Sequence, residues 1–359
     1  MTTPIDSSVI ITINPGSTST KVAIFKGTQL QRQEKLTHEV ERLKSFKKLW
    51  DQFDFRLGAI ENFLNQQNFS GTSVAGVVGR GGLFKPVRRG TYKVNETMLA
   101  DTRQGVQGTH ISNMGCALAQ KIADKYGCDA YVVDPVSVDE FEDIARISGH
   151  PAIQRRSLSH ALNLRAATYW AAEQWNIDPV AHNFIVSHMG GGISIAAIQK
   201  DRIVDVNDAS SDGPFSPERT GGLPLMQFID LIFSRQYPQE KIKRLVMGEG
   251  GLAAYLGTNN VQKVFEMVQR GESLAKLISS AMAYQIAKEI GCMSTVLCGD
   301  VRGIVLTGGL ANSQFLMEWV ITRVKFIAPV LILPGELEME AMAHGLCRVL
   351  DNREDLKEY

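Results

Sequence analysis

The chain has 359 residues with 38 Lys+Arg against 38 Asp+Glu, and 44% of it is hydrophobic. That length exceeds the usual size of one domain, so two domains are expected, and the absence of net charge excludes a general nucleic-acid binder. No window carries ~18 consecutive apolar residues, which excludes a membrane-spanning helix.

Val9 to Phe25 reads VIITINPGSTSTKVAIF, an apolar β-branched run, a turn at Asn14-Pro15-Gly16 and a second apolar run from Val22. This predicts strand, tight turn, strand. The turn suits an anion, because Gly16 admits close backbone approach, the hydroxyls of Ser17, Thr18, Ser19 and Thr20 donate hydrogen bonds, and Lys21 adds charge. It is not a Walker A loop, since the lysine opens a strand rather than a helix. An ordinary polar hairpin is the alternative.

Leu30 to Glu39 is expected to be a third strand and Glu41 to Gln67 a helix, with apolar residues at helical spacing. Ser73 to Val78 is a short buried strand ending in Gly79-Arg80-Gly81-Gly82, where Arg80 either contacts an anion or is a solvated turn residue. His110 to Lys125 has a helical pattern. Asp129 to Asp134, DAYVVD, is a strand closing on an aspartate, which in a parallel sheet faces the ligand edge or else caps the next turn. Arg155, Arg156 and His160 open a predicted helix. The arginines also read as solvated charges, and Ser159 as a helix cap.

Asn183 to Lys200, NFIVSHMGGGISIAAIQK, repeats the first hairpin at a constant offset of 174 positions (188 − 14). Ile11 falls on Ile185, Asn14 on His188, Gly16 on Gly190, Ala23 on Ala197, Ile24 on Ile198 and Lys26 on Lys200. We read this as an internal duplication, in which two related domains each offer a phosphate-binding hairpin to a shared cleft. Ile203 to Val206 is a further strand, and Asn207 to Gly222 a long turn-rich loop of the kind that usually carries function. Met226–Phe233, Glu240–Met247 and Asn260–Ile290 are expected to be helical, Val301–Leu306 and Ala328–Leu333 strands. Asn312–Val324 is a helix whose start would cradle a nucleotide. A C-terminal helix opens at Glu336-Leu337-Glu338, with acids at its positive end. The N-terminal MTTPIDSS lacks the basic start and apolar core of a signal peptide. Cys116, Cys128, Cys292, Cys298 and Cys347 are odd in number and form no CxxC pair. Together these predict a cytoplasmic protein with reduced thiols.

The paired hairpins, with IVLTGGLANS at 304–313, resemble the two phosphate motifs and the adenosine motif of the actin, hexokinase and heat-shock chaperone ATPases. Within that superfamily HMGGG, GPFSPERTGGLP and PGELEME make the chain similar to the acetate and butyrate kinases, on the butyrate kinase branch. The resemblance spans nearly the whole chain. It implies an α/β fold of two duplicated actin-like (ribonuclease H-like) domains around a nucleotide cleft. The domains would be residues 1–150 with the C-terminal helix 335–359, and residues 151–334.

What the resemblance implies for the site is specific. ATP/ADP would be held by Asn14, Ser17, Ser19 and Lys21 of the first hairpin, by His188, Gly190, Gly191 and Gly192 of the second, and by Gly308, Gly309 and Asn312. Arg80 and Arg219 match the family's substrate arginines, Asp134 its catalytic aspartate, and His160 the histidine that stabilises the transferring phosphoryl. His110 matches a phosphate-facing histidine, with the structural reading kept beside it. His110, Ser159 and Pro214 would line the substrate pocket. Mg2+ would be held through Asn14, Asp134 and an acid of the C-terminal helix, Glu338 rather than Glu336. The implied reaction is reversible transfer of the ATP γ-phosphoryl to butyrate or a branched short-chain acid, in a homo-oligomer, dimer or higher. Acetate, propionate, sugar or glycerol kinases of the same superfamily, and a nucleotide-driven binding protein of the chaperone or actin type, are the alternatives.

Overall fold

A computed structural model describes residues 8–67 and 73–359. The expectation drawn from the N-terminal stretch falls on Met1–Ser7, which lie outside the described residues. The chain divides into one unit of residues 1–139 with 337–359, and a second of residues 140–336.

The first unit is built on strands β1 (Val9–Pro15), β2 (Ser19–Lys26), β3 (Gln29–Thr37), β4 (Val74–Arg80), β5 (Thr91–Lys93) and β6 (Ala130–Val133). They form one sheet in the order β3-β2-β1-β4-β6-β5. β1, β2 and β3 pair antiparallel, whereas β4 runs parallel to β1 and β6 parallel to β4. Helices α1 (Val40–Lys44), α2 (Phe53–Asn65), α3 (Glu96–Gln104) and α4 (Gly115–Tyr126) follow in the sequence between these strands. Side chains alternate across a strand. Accordingly a Cβ at Gly79 would fall 2.1 Å from the Gly115 carbonyl oxygen of α4, while one at Gly76 would strike Tyr131 and Leu346. Leu346 belongs to the C-terminal helix of this unit, which covers the other face.

The second unit contains α5 (Asp143–Arg146), α6 (Ala161–Trp175), β7 (Asn183–Met189), β8 (Ile193–Gln199) and β9 (Arg202–Val206). It continues through α7 (Leu225–Phe233), α8 (Gln239–Val246), α9 (Gly251–Leu256), α10 (Val261–Gln269), α11 (Ser273–Val296), β10 (Gly303–Gly308), α12 (Gln314–Val324) and β11 (Val330–Pro334). Its sheet runs β11-β10-β7-β8-β9, antiparallel through β7, β8 and β9 and parallel through β7, β10 and β11. That is the topology of the first sheet without β5, the duplication read from the hairpins. Ile185, Ile195, Ile304 and Leu306 pack with Ile286 of α11 and Leu316 of α12. The opposite face meets α6, whose Trp175 lies where a Cβ on Gly303 would be. Helix α13 (Glu338–Leu350) then returns to the first unit.

The ungapped alignment of the hairpins needs one correction. Pro15 pairs with Thr20 across the first turn, but Met189 pairs with Ile193 across the second. The second turn is one residue shorter, so the offset of 174 holds on the first strand and drops to 173 (195 − 22) on the second. Ala23 is therefore equivalent to Ala196, not Ala197. Other differences are local. The helix expected over 41–67 breaks at 45–48, and the one expected over 260–290 breaks at 270–272 before α11 begins. Residues 155–159 are not helical, because α6 starts at Ala161 with His160 as its N-cap. Arg155 and Arg156 are not free surface charges either: they pair with Asp205 and Asp208.

Candidate active site

The first unit gathers four of the expected residues at the C-terminal ends of its parallel strands, where open α/β sheets bind ligands. Asn14 is the last residue but one of β1, Arg80 ends β4, and Asp134 follows β6 directly. The fourth, Glu338, is the first residue of α13, beside the positive end of its dipole. Its carboxylate accepts a hydrogen bond from Asn14 Nδ2, and Oε1 stands 3.6 Å from Arg80 Nε. Arg80 is buried and reaches the Asp134 carbonyl oxygen at 3.5 Å. Asp134 sits at φ +39, a conformation that a non-glycine residue holds only when its surroundings enforce it. Gly90 does so: its amide donates to Asp134 Oδ1 at 2.7 Å, and its carbonyl accepts from the Asp134 amide at 3.0 Å. Glu336 precedes the helix rather than opening it, since Leu337 is the N-cap.

The hairpin turn of the same unit carries Ser17 and Ser19, and Lys21 lies opposite Asn14 in the strand register, on the same face. Ser17 and His110 line one pocket of about 430 Å³ with Leu49, Gln52, Thr109 and Ile111. His110 is not inside a helix as expected. It caps a short 3-10 turn at Ile111–Met114, with Nδ1 2.8 Å from Ser112 Oγ.

In the second unit His160 and His188 come together, with ring centroids 4.4 Å apart and planes 36° from parallel. His188 is near the end of β7, and Ser194 is its partner across the hairpin. Ser194 Oγ lies 2.9 Å from His160 Nδ1 and so fixes that ring. Nothing in the sequence singled out Ser194, because a serine at an inward strand position carries no motif. The turn Gly190-Gly191-Gly192 is held by Ser216, whose Oγ donates to the Gly191 carbonyl at 2.5 Å. Arg219 lies over Gly192 and donates from Nη1 to the Ala209 carbonyl at 2.7 Å, while its buried Nε has no hydrogen-bond partner among the described residues. Burial lowers the Arg219 pKa, partly offset by Glu218 and Asp208.

Pro214 is buried in the same loop, beside Gly213 at φ +69. Asn207 pins the start of that loop to β8 through the Ile195 amide and the Ile193 carbonyl. Gly308 follows suit at the end of β10: at φ +93 it bridges Gly335, and a Cβ there would meet the Met189 carbonyl oxygen at 2.4 Å. Gly309 to Asn312 form a 3-10 turn in which Asn312 Nδ2 donates to the Gly309 carbonyl. The helix begins at Gln314, capped by Ser313, so Asn312 does not open it as expected. Ser159 is 3% exposed, its Oγ has no hydrogen-bond partner among the described residues, and His160 occupies the cap position. The capping role for Ser159 is thereby removed.

Comparison with known proteins identifies the family. Residues 160–332 match the Acetokinase family. The chain is 50% identical over 350 residues to the "Probable butyrate kinase 2" of Caldanaerobacter subterraneus subsp. tengcongensis, covering 98% of this chain and 99% of that protein. It is 46% identical over 351 residues to "Butyrate kinase 2" of Clostridium acetobutylicum, with 98% and 99% covered. Among solved structures, the acetate kinase of Porphyromonas gingivalis superposes with a TM-score of 0.76 at 16% identity, over 96% of this chain and 99% of that one. A propionate kinase of Francisella tularensis gives 0.73 at 16% identity, over 94% and 98%. At that identity the structural likeness establishes the fold. The sequence likeness establishes more: the chain belongs to the acetate and butyrate kinase family, phosphotransferases with a carboxyl group as acceptor. Use of ATP/ADP follows from membership of a kinase family.

Proposed function

We propose that this protein is a butyrate kinase, which transfers the γ-phosphoryl of ATP reversibly to butyrate or a branched short-chain acid. The observation that carries the reading is identity of 44% to 50%, over 98% of the chain, to proteins named butyrate kinase or probable butyrate kinase. We further propose a cytoplasmic homo-oligomer built from two domains, residues 1–150 with 335–359 and residues 151–334; the compact units divide instead at 139/140 and 336/337.

The chemistry asks little covalent help of the protein. A carboxylate with a pKa of about 4 is already ionised at neutral pH, so no general base is needed. What opposes reaction is repulsion between the anionic nucleophile and the triphosphate. Fixed cations near the reacting oxygens lower it by positioning and charge stabilisation. Arg80, which is buried, and Arg219, which is half-buried and donates to the Ala209 carbonyl, are such cations, and His160 is oriented by Ser194 to donate to the phosphoryl.

The oxygen donors of Asn14, Asp134 and Glu338 fit Mg2+, which takes hard oxygen ligands, one or two carboxylates and several waters. Among the described residues no group of three or more His, Cys, Asp or Glu could hold a metal ion. When bound, Mg2+ supplies charge neutralisation on the phosphate oxygens. Asp134, which need not accept a proton, is then an orienting group. Mixing butyrate, ATP and hydroxylamine tests the reading: butyryl hydroxamate should accumulate with ADP. ATP-dependent phosphorylation of sugars or glycerol without hydroxamate would overturn it.

A further inference from the structure

Arg56 is 0% exposed and is among the largest fully buried side chains. It lies in α2, far from any motif, yet its guanidinium closes on the turn of the first hairpin. Nη1 donates to the carbonyls of Gly16 at 2.9 Å and Ser19 at 3.1 Å, and to Thr20 Oγ1 at 3.1 Å. Nη2 donates to the Ser17 carbonyl at 3.0 Å. Gln52 Oε1 accepts from both Nε and Nη2, at 3.1 and 3.0 Å. Every acceptor is neutral. Among the described residues no carboxylate pairs with this cation.

Two consequences follow from elementary geometry and charge. A planar trans peptide places its C=O and N–H on opposite sides. Drawing the carbonyls of Gly16 and Ser17 inward therefore turns the amides of Ser17 and Thr18 outward. Both residues are exposed, and neither amide has a hydrogen-bond acceptor among the described residues. Successive amides presented this way form an anion-binding nest. The charge behind them is also uncompensated. Burial lowers the Arg56 pKa to about 10, which leaves it protonated at neutral pH. His38, which touches the same Thr20 hydroxyl at 2.9 Å, is held down to about 4 by burial and by Arg56, so it stays neutral. A buried cation without a counter-ion is costly unless an anion supplies the balance.

We propose that Arg56 is a positioning residue for the ATP phosphates: it shapes the 16–20 turn into an amide nest and supplies the positive charge behind it. This rests on the reading of the first hairpin as a phosphate loop. Arg56 touches no substrate; it acts through the turn.

The test compares Arg56→Lys, Arg56→Met and Gln52→Ala with the parent enzyme, each measured for KM of ATP, KM of butyrate, kcat and thermal stability. Arg56→Lys keeps the charge but cannot span the four acceptors of the turn and Gln52 Oε1. It should raise the ATP KM about tenfold, and Arg56→Met further, with the butyrate KM within twofold. Gln52→Ala, which only frees the guanidinium, should raise the ATP KM about threefold. A Lys variant closer to the parent than the Met variant marks the contribution of charge. A fall in stability with unchanged ATP KM in the soluble variants would reduce Arg56 to a structural role and overturn the proposal. If neither Arg56 variant is soluble, Gln52→Ala decides by the same criterion. Lys21→Met separates the two levels. Weakened ATP binding there, with none in the Arg56 or Gln52 variants, sinks only this proposal. Unchanged ATP binding in all of them sinks the phosphate-loop reading itself.

Discussion

The guanidinium of Arg219 rests on Gly192, so closely that a methyl group at residue 192 would fall 2.3 Å from Nη1. The glycine turn of the second hairpin, proposed as a phosphate loop, thus has a second use. It leaves room for a cation that the 207–222 loop delivers.

Substituting Gly192→Ala is therefore expected to imitate an arginine mutation without touching the arginine. The added methyl meets the end of a flexible side chain, so the fold should survive and Arg219 should move. We expect kcat to fall at least tenfold, against about 10²- to 10³-fold for Arg219→Ala, in line with loss of one fixed transition-state donor. The double variant should be no worse than Arg219→Ala alone, because both changes remove one interaction. Additive losses would show that Gly192 acts independently of the arginine.

The cluster of Asn14, Arg80 and Glu338 leads to a test of metal dependence. Arg80 and Glu338 are 5% and 15% exposed at their side chains. Removing either charge outright from so buried a pair costs on the order of 3–5 kcal/mol and confuses stability with function. Glu338→Gln also removes the charge, but it keeps the shape and an oxygen that can accept from Asn14 Nδ2, so its thermal stability is measured beside its activity. It should raise the Mg2+ concentration for half-maximal activity by about 10- to 100-fold, the usual effect of disturbing a metal's supporting shell. An Mg2+ titration with the parent's midpoint would remove Glu338 from the metal site.

Much of this was legible in the sequence, for physical reasons that differ by residue. The two hairpins announced themselves because β-branched runs flanking a glycine turn have few other uses, and their repetition anticipated two sheets of one topology. Asp134 and Arg80 were visible as polar residues closing apolar strands. What escaped was carried by position rather than type. Ser194 orients His160 from an inward strand site, and Arg56 reaches 40 residues back to Gly16 from a helix that reads as ordinary. The one-residue difference between the turns was also hidden, because an ungapped alignment still matches Ala23 with an alanine. Helix starts erred wherever a 3-10 turn or extended segment preceded the helix, as at His110, His160 and Asn312.

Glu289 makes stability depend on pH. Burial first, and then repulsion from Asp212 and Asp205, raise its carboxyl to about 7, against partial relief from Arg155 and Lys288. The unfolded carboxyl titrates near 4.3, so between that value and about 7 the folded state binds more protons. Stability from this group is present below the unfolded pKa and is lost as pH rises through the folded one. Glu289→Gln should therefore raise Tm by a few degrees at pH 8 and leave it nearly unchanged at pH 4.5. Equal shifts at both pH values would mean that the carboxyl is not the titrating group.

The last test concerns acyl chain length. The resemblance to acetate kinases implies an aromatic residue immediately before the histidine that His160 would match, where this chain has Ser159. Ser159 does not cap α6, since His160 holds that position and the buried Ser159 Oγ has no hydrogen-bond partner among the described residues. If Ser159 lines the acyl pocket, as we propose, a small residue there frees volume for methylenes beyond acetate. Burying two CH₂ groups at ~0.8 kcal/mol each is worth roughly 1.6 kcal/mol, or about fifteen-fold in kcat/KM. Butyrate, and four- or five-carbon branched acids, should accordingly outrank acetate. Ser159→Phe should refill the space and lower the butyrate-to-acetate ratio about tenfold, through loss of butyrate activity more than gain of acetate activity. Where the ring is larger than the space it enters, strain costs ~1–3 kcal/mol, so the ratio, not the absolute rate, is the quantity to measure on the soluble fraction. Ser159→Ala, which only removes a hydroxyl lacking a partner, should keep the parent ratio and lose no stability. A Phe variant with the parent ratio would place Ser159 outside the acyl pocket, and chain length would then have to be set elsewhere, with the buried Pro214 the next position to vary.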